Sequence, residues 1–534
     1  MRFHISTSLL IFTTALTLQA QSSSWLDYDQ VLSNQVWLRT NNAAMLSTYH
    51  PADSAQRLIA DACLGIETQH GHFIPLNESP HAWTIHANAR SICRLSRRVV
   101  MRGDMNYSRQ WGSDAGGSIW IQPSEMPFDI TEYDDSTKGN IQIEKYHLNG
   151  EIGVNVCNGL SLGTRFDYTA AASSKQKDPR HTNSLMRINT NIGAAFSTAS
   201  FTGGAAYLLQ RSTESVQFRT YGRTDRVYHY LIDFGALYGR DETTDGKGYT
   251  SNDNEKPLLD MRHGLSLQAG YTLKQWTLAV EWQWLHRHGH YGIESPAFID
   301  FNKHQGNSWQ VDACLQHATT TTIMQLSFNW QRHNLRDYER TYSSVTNAGV
   351  TDIVYFDDRL MSIKQSTSYR VTADAQWGIK RHLATWAVKA MVNHERNNIR
   401  AIIYPYYRLN DTHLITCTLS ATRNWLSSTD RLWAVTLKAS WATGGGNMAT
   451  DLTFGTPAEG NKTPASPTIQ ASRLFQWLTA SRAGASAMLR HAFNVTRALR
   501  LYVDASYGFT AASKIDNLAD SHVHRVSLSL GCFF

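Results

Sequence analysis

The sequence predicts an all-β fold: a transmembrane antiparallel β-barrel of about 18 strands (range 16–20), with short periplasmic turns and long extracellular loops. Three observations indicate it. Apolar and polar residues alternate over segments of about ten residues, short and long connections take turns between these segments, and tryptophans gather near the segment ends. Of the 534 residues 42% are hydrophobic, yet no apolar run reaches the ~20 residues that a membrane-spanning helix needs.

The first 20 residues have the pattern of an export signal. Arg2 and His4 precede an apolar run, Leu9–Leu18, and the small residue Ala20 follows it. We therefore expect residues 1–20 to be a signal peptide, cleaved near Ala20 during export through the periplasm to the cell outer membrane.

The next segment, residues 21–56, contains large apolar side chains such as Trp25 and Leu46 without strand alternation. It either folds inside the barrel as a plug or forms a loose periplasmic segment, since chain termini are often poorly ordered. The β-barrel itself is expected to occupy residues 57–534.

The barrel prediction depends on a two-residue period. In Tyr146–Val156 the even positions are apolar or glycine and the odd positions are mostly polar, and the pattern resumes after the turn Cys157–Gly159. Successive side chains of a strand point to opposite faces, so each such segment has one apolar and one polar face. Eighteen segments follow this template: 57–68, 82–94, 99–111, 144–156, 160–171, 185–197, 201–213, 264–273, 276–288, 308–317, 321–332, 368–379, 383–395, 412–425, 431–442, 484–495, 498–509 and 523–534.

The connections between these segments alternate in length, which is typical of membrane barrels. Tight turns are expected near 95–97, 157–159, 199, 274, 318–319, 380–382, 427–430 and 496–497. Longer polar loops are expected at 113–140, 172–184, 214–262, 289–307, 333–367, 396–411, 443–483 and 510–522. Within 214–262, Tyr228–Leu237 could add another hairpin and raise the strand count to twenty.

Tryptophans begin and end the apolar face of several segments, for example Trp276 with Trp284 and Trp433 with Trp441. Amphipathic rings prefer the headgroup region of a membrane, so these positions indicate two interfacial girdles.

Charged residues of both signs occupy the polar face in mid-strand, where they suit a water-filled lumen. They either form a selective lining for a solute or pair along a strand as a network that rigidifies the interior. The lumen-lining candidates are Arg165, Asp167, Arg187, Glu281, Asp312, Arg370, Asp374, Lys389, Lys438, Arg500 and Asp504.

A histidine cluster provides weak metal candidates. His286, His288 and His290 lie at alternate positions of one segment and share a face, as ligands of a transition metal would. The register places that face towards lipid, and carboxylate or cysteine partners are absent nearby in the sequence. Contact with lipid headgroups or lipopolysaccharide is therefore favoured over a metal site.

Composition and motifs argue against other classes of function. The net charge of +6 is spread along the chain and forms no basic stripe for nucleic acid. No Gly-x-Ser-x-Gly context and no phosphate-binding glycine loop supports an enzyme, and no cofactor is expected. The spacing of the six cysteines favours unpaired thiols: Cys63, Cys93, Cys157, Cys314, Cys417 and Cys532.

Two family resemblances add to this interpretation. Trp37–Leu46, with Asn41-Asn42-Ala43-Ala44-Met45-Leu46, resembles the N-terminal Asn-Pro-Ala-Gly-Leu element of long-chain fatty-acid transporter barrels, with Ala44 replacing the proline. Most of the chain is similar to an uncharacterised outer-membrane β-barrel family of Bacteroidota. That resemblance implies architecture and location but no activity, and it is carried by Gly103–Tyr107, Tyr146–Gly153, Lys177–Asn183 and Tyr228–Arg240.

The function expected from these features is a channel or transporter for a small or amphipathic solute. The alternative is a non-conducting structural or accessory barrel of a surface uptake assembly. Expected partners are outer-membrane lipid, lipopolysaccharide, a small solute and the barrel-assembly machinery, because a last strand closed by Phe534 resembles the signal that this machinery reads.

Overall fold

Eighteen antiparallel strands close into one barrel. The computed structural model describes residues 25, 28–51, 57–221, 225–244, 248–252, 255–293, 299–347, 349–427, 431–496 and 499–533. The expected signal peptide and Phe534 lie outside the described residues. The strands of the barrel are β1 (Leu58–His70), β2 (His81–Arg94), β3 (Val99–Ala115), β6 (Gly139–Cys157), β7 (Leu160–Lys175), β8 (Arg180–Ser197), β9 (Phe201–Arg219), β12 (Lys256–Leu273), β13 (Trp276–Gly292), β14 (Asp300–Ala318), β15 (Thr322–Asn347), β16 (Val350–Trp377), β17 (Trp386–Ile403), β18 (Tyr406–Leu426), β19 (Arg431–Thr453), β20 (Arg482–Asn494), β21 (Arg500–Ala512) and β22 (His522–Phe533).

Each barrel strand pairs with its neighbours in the chain, and β1 pairs with both β2 and β22, which closes the ring. Closure leaves no strand edge unpaired, and a barrel in lipid requires this because every backbone polar group needs a partner. The predicted fold class and the count of eighteen are confirmed. The tight turns also lie together at one end, called the short-turn end below, and the opposite end is the long-loop end.

The strands reach further at the long-loop end than the alternation indicates. The expected loop 333–367 is a paired hairpin, since β15 and β16 continue to Asn347 and Val350. The expected loop 396–411 likewise shrinks to a turn at the cis peptide Tyr404–Pro405 between β17 and β18. These extensions project beyond the apolar layer. Both faces of a strand contact water there, so the two-residue period disappears although the pairing between the strands continues.

The long connections around residues 117 and 230 form a second sheet. Its four strands are β4 (Gly117–Ser118), β5 (Asp129–Glu132), β10 (His229–Asp233) and β11 (Gly239–Thr243), in the order β11-β10-β5-β4. Of the hairpin anticipated within Tyr228–Leu237, only β10 lies in that range; its partner β11 lies beyond it, and because β10 also pairs with β5 the hairpin adds nothing to the barrel.

We call residues 117–132 and 229–243 the cap. Its apolar side chains, such as Phe128, Tyr230 and Ile232, are fully buried against inward residues of the barrel that include Phe218 and Tyr291. The cap thus forms a small hydrophobic core inside the mouth of the barrel at the long-loop end.

The described helices are short. They are α1 (Tyr28–Asn34), α2 (Thr468–Thr479) and the 3-10 helices Val36–Arg39, Ala43–Thr48, Pro123–Glu125 and Asp135–Thr137. None of the helices in the described ranges is long and apolar enough to cross a membrane.

The outward face carries an apolar band between two tryptophan girdles. Leu278 and Leu437 are about half exposed in the band, while Trp276 and Trp433 lie at its short-turn edge. At the other edge, Trp83 stacks on Trp111 with ring centroids 4.0 Å apart. This surface is that of a membrane-spanning barrel.

Candidate functional site

The lumen has two sides that differ in side-chain size. We call the inward faces of β6–β9 and β12–β14 the covered wall, because residues 36–48 of the N-terminal segment (residues 28–51) pack against them or bond them. The helix α1 of the same segment packs on β1 and β2. We call the inward faces of β1 and β19–β22 the serine wall, because Ser, Thr and Gly are frequent there. Charged side chains are buried and hydrogen-bonded on the covered wall, whereas several on the serine wall are exposed to the lumen.

Glycines on the covered wall give the N-terminal segment room to approach. A Cβ added at Gly163 would lie 2.3 Å from the backbone nitrogen of Ala44 and 2.4 Å from the carbonyl carbon of Ala43. Ala43, Ala44 and Met45 are buried as a result. Only glycine at position 163 allows this backbone-to-backbone contact.

Side chains of the covered wall bond the backbone of the segment. Glu281 accepts hydrogen bonds from the backbone N–H of Asn41 at 2.8 Å, from Ser266 at 2.6 Å and from Gln268 at 2.9 Å. Asn191 donates to the carbonyl of Asn41 at 2.9 Å. Glu281 is only 5% exposed, so its charge depends on these donors.

The candidates Arg165 and Asp167 face inward but do not pair with each other. Arg165 donates to Glu151 at 2.8 Å, and Asp167 bonds His147 at 2.8 Å. The expected pair along one strand is not formed here, because each of the two side chains has a partner on the adjacent strand β6.

Three further candidates are brought together beneath the N-terminal segment. Glu281, Asp312 and Arg370 line one cavity of about 190 Å³ with Trp37. Asp312 accepts from Gln310 at 2.5 Å, and Arg370 donates weakly to Asn393 at 3.3 Å. Asp374 accepts from Gln376 at 3.4 Å on the same side of the barrel.

The remaining candidates lie elsewhere on the inward face. Arg187 contacts the cap, Arg500 donates to Asn494 at 3.0 Å, and Asp504 accepts two bonds of 2.8 Å from Arg490. Lys389 and Lys438 are exposed to the lumen. Their role in selectivity stays a prediction.

The serine wall borders two cavities in the lumen, and the second of them also adjoins β6 and β7 of the covered wall. Small inward residues such as Ser486, Ser506 and Gly508 line a cavity of about 430 Å³ beside Lys438. A second cavity of about 390 Å³ lies towards the cap. The two cavities share Glu67 and Arg525, whose side chains therefore stand at their junction.

The N-terminal segment and Trp25 cross the short-turn end of the lumen. The backbone N–H of Trp25 donates to the carbonyl of Arg381 at 2.9 Å, beyond β16. On the opposite side Asp29 pairs with Arg90 at 2.6 Å, and Arg90 also pairs with Asp61 at 2.5 Å. Trp25 and Asp29 are thus tethered to opposite sides of the opening.

The cap is tethered to the covered wall by a cluster of charges. Glu125, in the turn between Trp120 and Met126, accepts two bonds from Arg187 at 3.2 and 3.1 Å and one from Arg262 at 2.8 Å. Burial alone would raise the pKa of Glu125, but the charges of Arg262 and Arg187 outweigh it and hold that pKa below its usual value.

Of this charge cluster, only Arg187 was predicted from the sequence. Arg287 donates to the backbone carbonyl of Glu125 and to Asp260, each at 2.5 Å, and Arg262 also donates to Asp260 at 2.9 Å. Arg287 does alternate with the outward histidines of its strand, so its inward position was available as a signal. Glu125 lies in a loop, where no periodicity indicates a partner.

The histidines face outward, as their register predicts, but group differently. The His286 and His288 rings lie 5.6 and 5.7 Å from that of His263 on β12, and 5.8 Å from each other. Within the described part of the chain, no group of three or more His, Cys, Asp or Glu side chains is arranged to hold a metal ion. All six cysteines have free thiols.

The sequence was compared with known families and structures. A model of a family of unknown function, DUF6850, matches residues 48–534. The chain belongs to that family. The family match covers the whole barrel and starts at the end of the N-terminal segment. No curated protein matches the sequence.

Solved structures that the fold is similar to are outer-membrane receptors and transporters. The ferric preacinetobactin receptor BauA of Acinetobacter baumannii has 7% identity and a TM-score of 0.37, covering 88% of this chain and 80% of its own. The outer-membrane transporter YddB of Escherichia coli has 6% identity, a TM-score of 0.39 and coverages of 89% and 81%. The alcaligin receptor FauA of Bordetella pertussis has 8% identity, a TM-score of 0.38 and coverages of 91% and 77%.

None of these three is a fatty-acid transporter, so the resemblance of Trp37–Leu46 to that family gains no support from them.

Proposed function

We propose that the chain is an outer-membrane barrel that passes a small polar solute along its serine wall. The supporting observation is the pair of adjoining cavities of about 430 and 390 Å³, which share Glu67 and Arg525. Small hydroxyl-bearing side chains leave space and offer hydrogen bonds in place of water, which suits a hydrophilic solute more than a greasy one.

The N-terminal segment is the proposed gate of this path. Trp25 packs with Tyr502 and Phe533 at the short-turn end of the serine wall, and Asp29 is held there by Arg90. A solute that has reached the cavities would leave the barrel when Trp25 and α1 (Tyr28–Asn34) move aside. Surface ion pairs break at little cost, and the Asp29 side chain is 68% exposed.

Liposome swelling with sized neutral sugars tests the proposal. We expect a variant lacking residues 25–51 to swell faster than the full chain, because the gate is gone. In that background Ser486→Trp should slow swelling several-fold by filling the cavity. The matched control is Leu489→Trp on the same strand, whose side chain faces lipid and lines neither cavity, and which should leave the rate unchanged.

The same experiment distinguishes a conducting barrel from the alternative, a non-conducting accessory barrel. If neither the full chain nor the deletion variant leaks more than empty liposomes, although both migrate as folded barrels in unheated gels, the chain is a non-conducting accessory barrel. Equal effects of Ser486→Trp and Leu489→Trp would remove the serine wall as the path.

A further inference from the structure

The charge cluster beneath the cap has the composition of an anion receptor. Three guanidinium groups, those of Arg187, Arg262 and Arg287, converge on the side chain and backbone of one residue, Glu125. Arginine is suited to this task, since its planar fork bonds two oxygens of a carboxylate or phosphate at once. Arg187 makes such a two-pronged contact with Glu125.

The cluster carries more positive than negative charge. Its three arginines face two carboxylates, Glu125 and Asp260, so one positive charge is left over. The Arg187 Nε is also buried without a hydrogen-bond partner in the described part of the chain. A buried donor without a partner is costly, and an additional or larger anion would satisfy it.

Glu125 is the least firmly held member of the cluster. Its side chain is 35% exposed, whereas those of Arg262 and Arg287 are 15% and 11% exposed. The turn that carries it runs between Trp120 and Met126, which are buried in the core of the cap. The turn can therefore leave the arginines without unpacking the cap.

We propose that Arg187, Arg262 and Arg287 form an anion-binding site of the lumen, occupied in this conformation by the cap's own Glu125, for which a solute carboxylate or phosphate competes. Glu125 then acts as an internal competitor that an incoming anionic solute displaces. The identity of the natural ligand as a transported solute rests on the proposed function, whereas the binding site itself does not.

Calorimetric titration of the full chain in detergent with inorganic phosphate at low ionic strength tests this assignment. Glu125→Gln removes the competing charge, and we expect it to bind phosphate at least tenfold more tightly than the unaltered chain. Adding Arg262→Gln should abolish that gain. The matched control is Glu459→Gln, an exposed glutamate of the loop between β19 and α2, which should leave phosphate affinity unchanged.

Unheated gel migration confirms that each variant is folded, and Glu125→Ala replaces Glu125→Gln if the latter is not. The assignment is overturned if the folded Glu125 variant binds phosphate no better than the unaltered chain, or if Arg262→Gln leaves the gain intact. These results are independent of swelling. If the chain binds phosphate but liposomes containing it do not swell, the anion-binding site is supported and the proposed passage is overturned. If the liposomes swell but the Glu125 variant binds phosphate no better, the passage is supported and the anion-binding site is overturned.

Discussion

The covered wall and the serine wall lie on different strands with the same alternation of apolar and polar residues, yet their charged side chains have different surroundings. On the covered wall Glu281 is 5% exposed and receives three hydrogen bonds. On the serine wall Glu67 is exposed at the junction of two cavities. The same residue type therefore anchors a packed segment on one side and faces open space on the other.

The comparison shows that an inward polar face does not define a channel. Glycine has two structural roles in this lumen. Gly163 lets the backbone of the N-terminal segment approach that of β7, whereas Gly508 leaves space beside Ser486. The difference depends on whether another segment reaches the glycine. Substitutions at matched positions of the two walls should therefore have unequal consequences.

The largest difference is expected for alanine at these two glycines. In Gly163→Ala the new Cβ would meet the backbone of Ala43 and Ala44 at 2.4 and 2.3 Å, so the N-terminal segment must shift. Overpacking of this kind costs about 1–3 kcal/mol. In Gly508→Ala the nearest atom is the Cβ of Ser486 at 3.5 Å, an ordinary contact.

Limited proteolysis in detergent measures the shift. Residues 28–51 should be cut much faster in Gly163→Ala than in the unaltered chain, and Gly508→Ala should not differ from it. Equal protection in both variants would mean that the close packing at Gly163 does not hold the segment.

Part of this organisation was predictable from the sequence. Lipid on one side imposes a strict two-residue period, so all eighteen strands and the inward direction of residues such as Arg165 could be predicted. The cap could not, because β5 and β10 are about a hundred residues apart and too short to show a period. The partners of the inward charges also depend on the register between strands and on loop residues such as Glu125, about which alternation says nothing.

A difference of comparable size is expected for the two glutamates. Glu281→Ala leaves the N–H of Asn41 and the donors of Ser266 and Gln268 without their acceptor. Each hydrogen bond to a charged group contributes on the order of 1.5–3 kcal/mol, so the free energy of unfolding should fall by at least that amount. Glu67→Ala removes an exposed charge and should leave the stability unchanged.

Denaturant unfolding followed by tryptophan fluorescence measures the first effect. For Glu67→Ala the informative measurement is the reversal potential across a bilayer with a salt gradient, which should shift towards anions because a negative charge leaves the path. A loss of stability in Glu67→Ala similar to that in Glu281→Ala would contradict the distinction between the walls.

The smallest effect concerns pH and the cap, which packs against the long-loop end of β9 and β12–β14. Asp129 of β5 is partly buried, and desolvation raises its pKa to about 7, although Ser118 donates a hydrogen bond of 2.7 Å to it. Because the folded pKa lies above the unfolded value of about 3.9, the neutral carboxyl contributes stability that is complete below pH ~4 and is lost as the pH rises through about 7.

Amide hydrogen exchange of residues 117–132, corrected for the intrinsic effect of pH, should therefore show several-fold more protection at pH 5 than at pH 8. Asp129→Asn, which cannot ionise, should flatten this dependence while leaving the exchange of residues 28–51 as it is. An unchanged slope in that variant would assign the pH dependence to another buried carboxyl, of which Asp233, whose pKa is also raised by burial, is the first to substitute.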